Sequence, residues 1–239
     1  MRKIVFTIIL FFLPITVFGA IAIDTNSGSL GSAGSGNFTV GSLTNGWAFF
    51  YVVSDNTPDT VTAVTLNGVS GTLVRKNTCS GCNYKYMYSI PLGTVSGSLA
   101  WTITGTHADG AIQSYSGVDQ TNPIQSSKET SVSSQNSISL TSTPTTDGTW
   151  ALVVTGKNGA CAVNSLTNIT NRYSTAGGAN TMGMGDSNGT ITNGVGYTQT
   201  VTSSGCAQNH SLIQAILEPS VAVSSPSSVL DLVKGFFWW

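Results

Sequence analysis

Several groupings of residues in this chain have types and spacings that chemistry could use, and each competes with a plainer role. Gly185-Asp186-Ser187-Asn188-Gly189 matches G-x-S-x-G, the string that holds a nucleophilic serine exposed at a strand-to-helix turn. Here glycine and asparagine follow where a helix is required. His210 lies downstream, but no Asp or Glu falls between Ser187 and His210 to complete the usual order. The string reads as a glycine-rich loop. Glycoside hydrolysis needs two carboxylates about 5 to 10 Å apart. Glu129 and Glu218 are the chain's glutamates, and each neighbours an expected strand end or boundary.

Metal and redox chemistry are weighed in the same way. Thr106-His107-Ala108-Asp109 offers one imidazole and one carboxylate, half of a transition-metal site in a chain with two histidines. Calcium, which takes hard oxygen ligands, suits the Asp- and Asn-rich loops better. Asp55, Asp59 and Asp186 lead as oxygen donors, followed by Asp109, Asp119 and Asp147. Asp and Asn also make turns by capping their own backbone, and that is the preferred reading. No other cofactor is expected. Cys79-Ser80-Gly81-Cys82 could be a redox pair, but strand-like sequence follows it where a helix N-terminus would be needed to activate a thiol. A disulfide-stapled turn, Cys79–Cys82, is expected, with Cys161–Cys206 closing a long loop. Proximity alone selects this among the three pairings.

Binding without catalysis has its own candidates. Tyr84, Tyr86 and Tyr88 alternate with Lys85, Met87 and Ser89, so the three rings share one face of a strand. Exposed, that row could stack on sugar rings, with Tyr115 and Asp119 as further ligand-binding candidates. Turned inward, the rings would fill a core and leave Lys85 and Met87 outside. Lysine is rarely buried, which favours the inward arrangement.

The elements that must position these residues are strands. The chain has 239 residues, a formal charge of −1, and only 8 % charged residues against about a quarter in ordinary domains. Its 40 % hydrophobic content supports a sizeable core. Near-neutrality argues against a nucleic-acid partner, which needs phosphate-neutralising cations. Met1-Arg2-Lys3 followed by an apolar run to Phe18 has the layout of a secretory signal, cleaved after Gly19 or after Ala22. The Ala20-Ile21-Ala22 pattern favours the second; an uncleaved anchor is the alternative. The assignment is signal peptide 1–22, folded domain 23–219, Ser/Pro linker 220–228 and aromatic tail 229–239.

Within the domain, Trp47–Val53 suits a strand buried on both faces. Thr60–Leu66 and Val69–Arg75 flank Asn67-Gly68, a strong hairpin signal. Further strands are expected at Ile21–Asp24, Tyr84–Tyr88, Leu99–Ile103, Ala111–Tyr115, Ser137–Leu140, Trp150–Thr155, Tyr197–Thr202 and Ser211–Leu217. Thr25–Gly36, rich in Ser and Gly, reads as a flexible stretch. No amphipathic helix separates the strands, so the expectation is an all-β, single antiparallel two-sheet β-sandwich. In the tail, Val229, Leu232, Val233 and Phe236 share a helical face and tryptophans close the chain. Its length falls short of the roughly 20 residues needed to span a bilayer. It either docks on a membrane interface or a partner, or folds back on the sandwich.

Ala63-Val-Thr-Leu-Asn-Gly-Val69, Tyr88-Ser-Ile-Pro-Leu-Gly93, Gln113-Ser-Tyr-Ser-Gly-Val-Asp-Gln-Thr-Asn-Pro-Ile124 and Ser211-Leu-Ile-Gln-Ala-Ile-Leu217 together resemble a widespread group of jelly-roll-like, concanavalin-like domains of bacterial and phage surface proteins. The resemblance spans most of 21–219, more loosely between Ser126 and Gly205. It implies an extracellular β-sandwich used as a surface module and brings no catalytic residues. The function expected is non-catalytic adhesion or glycan binding at the cell surface or after secretion. The alternative is a structural subunit of an appendage or virion-like fibre, self-assembling or touching a membrane through Val229–Trp239. An extracellular hydrolase ranks last.

Overall fold

The computed structural model describes residues 17–54, 61–78, 84–158, 165–174, 180–203 and 208–222. Among them every regular element is a strand, and every ladder is antiparallel. In chain order these are β1 (Val17–Phe18), β2 (Ala22–Asn26), β3 (Ser35–Val53), β4 (Ala63–Leu66), β5 (Val69–Ser70) and β6 (Thr72–Asn77). β7 (Lys85–Thr104), β8 (Asp109–Ser116), β9 (Ile124–Gln135), β10 (Ser137–Ser142), β11 (Trp150–Asn158) and β12 (Ser165–Thr167) follow. The last are β13 (Thr170–Ser174), β14 (Asn180–Asp186), β15 (Tyr197–Thr202), β16 (Gln208–Leu217) and β17 (Val221–Ala222). The all-β sandwich expected from the strand pattern is what the chain builds.

The long strands β3 and β7 pair with each other at both ends, with register shifts between Val40 and Trp47. Their two halves pack on each other through one cluster that joins Phe38, Leu99 and Trp101 to Phe50, Tyr88 and Ile90. The ladder therefore folds over and supplies two layers. Layer one is the outer half of the β3–β7 pair with β4 and β5. Layer two is β2-β8-β3-β7-β6, using the inner halves. Layer three is β13-β14-β11-β16-β9, and layer four is β10-β15-β12. The stack thus continues beyond a single pair of sheets.

Alternation along β3 shows how the layers are glued. Trp47, Phe49, Tyr51 and Val53 face layer three with Met87, Leu152, Val154 and Ile213. Ala48, Phe50 and Val52 face layer one. β11 repeats the device one layer on, with Leu152 and Val154 towards layer two and Val153 towards Ile138, Val201 and Leu212 of the layer-four side. Strands buried on both faces must be apolar at consecutive positions, which is why Trp47–Val53 and Trp150–Val154 read as unbroken runs.

Local signals explain the turns. Asn67 and Gly68 both take positive φ (52° and 77°), the backbone of a type I′ hairpin turn. β5 then stops after two residues. At Gly71 a Cβ would sit 2.5 Å from Val64 Cγ2, so only glycine lets the chain leave layer one there and enter layer two as β6.

Three sequence expectations need correcting. Lys85–Tyr88 and Leu99–Ile103 are not separate strands but parts of β7, and Tyr84 precedes it. The Thr25–Gly36 stretch is stitched down: Ser27 N and Leu30 N donate to Ile112 O and Gly110 O, and Ile103 N donates to Gly34 O. Lys85 and Met87 are not outside; they are 1 % and 0 % exposed, because layer three covers the face they occupy. Beside the expected 23–219 domain, β1 and β17 pair as a separate two-residue ribbon. The cysteines (Cys79, Cys82, Cys161, Cys206) and the tail from Val229 onward lie outside the described residues.

Burial pushes the Lys85 ammonium down from 10.5 to about 7. Between those values the unfolded chain binds more protons than the folded one, so stability should rise from pH 7 towards pH 10, at most about 1.4 kcal/mol per pH unit for one proton. Burial raises the Tyr51 and Tyr115 phenols well above 10 and pushes Tyr173 up to about 12. Above pH 10 the folded state therefore holds protons that the unfolded chain has lost, and stability should fall. Denaturant titrations across this range should show a maximum near pH 10, and Lys85→Met should flatten the rising limb. At the core, Phe50→Ala should cost about 3–5 kcal/mol with an unchanged denaturant slope.

Candidate binding groove

The Gly117–Pro123 loop, which follows β8, and the chain end after β16 are tied together backbone to backbone. Asp119 N donates to Glu218 O (2.9 Å), Glu218 N to Pro123 O (3.0 Å) and Ser220 N to Gly117 O (2.8 Å). Gly117 has φ +71°, the left-handed turn that lets β8 enter this loop. Asp119 Oδ1 accepts from Thr121 N (2.8 Å) and Asn122 N (2.6 Å), an Asx turn that presents Asn122 beside the carboxylate. Gln125, at the start of β9, organises the opposite wall. Its Nε2 donates to Glu218 Oε2 (2.8 Å) and Thr146 Oγ1 (3.1 Å), and its Oε1 accepts from Thr145 N (2.8 Å).

These groups line a groove of about 440 Å³ containing Asp119, Asn122, Gln125, Thr146 and Glu218. A second groove of about 260 Å³ shares Asn122 and Ile124 with it and runs on past Thr72, Ser89 and Ser127. Together they form a trough across the edge of layers two and three. Hydroxyls, amides and two carboxylates line it beside the apolar Ile124, Val221, Val74 and Pro123, and none of the described lining residues is Lys or Arg. Such a surface accepts hydrogen bonds from hydroxyl groups at the Asp119–Glu218 end, while at the other end the Arg75 guanidinium donates to Ser127.

The other sequence candidates are placed elsewhere. Tyr86 and Tyr88 are buried (2 % and 5 % exposed) and stacked, ring centroids 6.1 Å apart, in the core between layers one and two. Tyr84 is half-buried beside them, and Lys76 Nζ lies 5.2 Å and 5.4 Å from the Tyr84 and Tyr86 ring centres. The tyrosine row is therefore core rather than an open stacking platform. Tyr115 is also buried. Its hydroxyl donates to Asp186 Oδ2 (2.8 Å) and lies 3.2 Å from Gln113 Oε1.

Asp186 is neutralised by protein partners. Arg172 Nε and Nη2 donate to its two oxygens (2.8 and 2.9 Å), and Asn188 N donates to Oδ1 (2.8 Å). The hydrogen bond to Asp186 raises the Arg172 guanidinium further. This bidentate pair occupies the lone pairs a calcium ion would use, so Asp186 is corrected from calcium candidate to buried ion-pair partner. Asp55 and Asp59 lie outside the described residues. Asp109 Oδ1 accepts from Ser29 Oγ, Gly31 N and Gly110 N, and Oδ2 accepts from the Tyr173 hydroxyl (3.0 Å). Both His107 nitrogens face backbone carbonyls, of Gly105 (3.2 Å) and Ala33 (2.9 Å). These groups fasten loops.

The catalytic strings are not assembled. Ser187 Oγ donates to Gly189 O (2.6 Å) and accepts from Ala151 N (3.2 Å), so it closes a loop after β14. Ala151 pairs with Ile216, six residues along β16 from His210, roughly 20 Å away. Glu129 pairs with Ile213, five residues from Glu218, or about 17 Å. That exceeds either glycosidase spacing. Glu129 instead lies 3.8 Å from Arg75. Of the trough's lining, the sequence offers Asp119 as a ligand-binding candidate and Glu218 as a hydrolytic one, but gives no sign of Gln125, Asn122 and Thr146. Isolated polar residues carry no spacing signal, and only the closing of the loop onto β9 and β16 brings them together.

The buried Arg172–Asp186 pair gives a direct stability test. Arg172→Leu leaves a fully buried carboxylate uncompensated and should cost about 3–5 kcal/mol in denaturant unfolding. Replacing both partners by leucine should cost markedly less. Comparison of the chain with protein-family models, with curated proteins and with solved structures finds no match in any of the three.

Proposed function

We propose that this chain is a non-catalytic cell-surface or secreted module that binds a neutral glycan in the trough beside Asp119 and Glu218. The observation that carries the reading is the trough's lining: neutral hydrogen-bonding groups and two carboxylate acceptors, held by a network that ends in rigid strands. Such groups suit the hydroxyls of a sugar, while the carboxylates of Asp119 and Glu218 disfavour uronic or sialic acids beside them. Preorganisation by the Asx turn and by Gln125 lowers the ordering cost of binding. The low overall charge fits a contact made of neutral hydrogen bonds, whose strength changes little with salt.

A panel of neutral, acidic and amino-sugar oligosaccharides tests the reading. Binding should be confined to neutral members and should be unchanged between low and physiological salt. Asn122→Ala should weaken it about five- to tenfold, the loss of one hydrogen bond, without shifting the melting temperature. Silence across the panel, combined with oligomers on sizing, would replace the proposal with the structural-subunit alternative.

A further inference from the structure

We infer that the export leader is removed between Gly19 and Ala20, not after the better-matching Ala20-Ile21-Ala22 pattern. The inference rests on the export reading of the N-terminus and adds to it the place where the mature fold begins. Ile21 is 4 % exposed and belongs to the core that joins Trp47, Tyr115 and Val118 to layer three. Ala22 opens β2 and pairs with Ser116, and Ile23 pairs with Tyr115. Ala20 lies against Gly117, where a Cβ would stand 2.1 Å from the Ala20 carbonyl oxygen, so the turn that starts the groove loop is shaped around this segment. A cut after Ala22 would empty the Ile21 slot, remove the first rung of β2 and place a new ammonium at Ile23, opposite buried Tyr115.

A cut after Gly19 removes far less. It takes away the two-residue β1–β17 ribbon and the bond from Gly19 N to Ser220 O (2.6 Å). That ribbon stands outside the four-layer stack, and Val221 on its other strand is 50 % exposed. Ala20 is exposed, so an ammonium formed there stays in water. The residues also fit a signal peptidase, with glycine immediately before the cut and valine two residues earlier. In the reaction, water adds to the Gly19 carbonyl and the Gly19–Ala20 C–N bond breaks. Gly19 leaves as a carboxylate and the nitrogen takes a proton to become the Ala20 terminus.

Expression of the full chain in a secreting bacterial host, with N-terminal sequencing and intact mass of the exported product, tests this. The product should begin at Ala20. Gly19→Leu should accumulate unprocessed precursor, whereas Ala22→Leu, at an exposed position, should be processed as before. An exported product beginning at Ile23, or a block by Ala22→Leu, overturns the inference and leaves export standing. A chain that stays inside the cell with Met1 attached overturns both.

Discussion

Covering both faces of a strand with other strands removes water from every side chain it carries, and this constraint shapes the rest of the molecule. β3 and β11 meet it with consecutive apolar residues, and layers one to four stack because neither strand has a face to give to solvent. Polar groups that fall on the covered faces must then find protein partners. The row Asp109, Val53, Lys85, Asn77 crosses layer two in register, and it lies at one end of the interface with layer three. Asp109 receives the Tyr173 hydroxyl and Asn77 Nδ2 donates to Thr130 O, so this polar end still ties the two layers together.

The same constraint separates two kinds of carboxylate among the described residues. Asp186 with Arg172, and Asp109 with its four donors, are structural: their lone pairs are spent on backbone and side chains that hold loops in place. Asp119 and Glu218 keep oxygen atoms at the wall of a solvent-filled trough. The distinction follows from position, since both of the latter sit where strands have just ended and no further layer covers them.

Much of the fold was legible because its signals are local or periodic. The Asn67-Gly68 hairpin, the doubly buried Trp47–Val53 run and the Trp150–Thr155 strand all appear where composition and alternation put them. β9 and β14 were missed: Lys128-Glu129-Thr130-Ser131 shows no apolar alternation, and the alternating Met182 and Met184 are interleaved with glycines, which read as loop. The burial of Lys85 was misjudged for a related reason. Its own strand gives no hint that a second sheet, contributed from residues far along the chain, covers the opposite face. The candidate trough was legible at Asp119 alone, because Gln125, Thr146 and Glu218 meet through long-range pairing rather than through spacing.

The fold-over of β3 and β7 has a mechanical corollary. Layers one and two share two uninterrupted lengths of backbone, so they cannot slide apart by breaking packing contacts alone. Load applied to one is transmitted to the other through covalent bonds, and separating them means tearing the shared ladder rung by rung. The first two layers should thus behave as a single clamp, giving way together under tension.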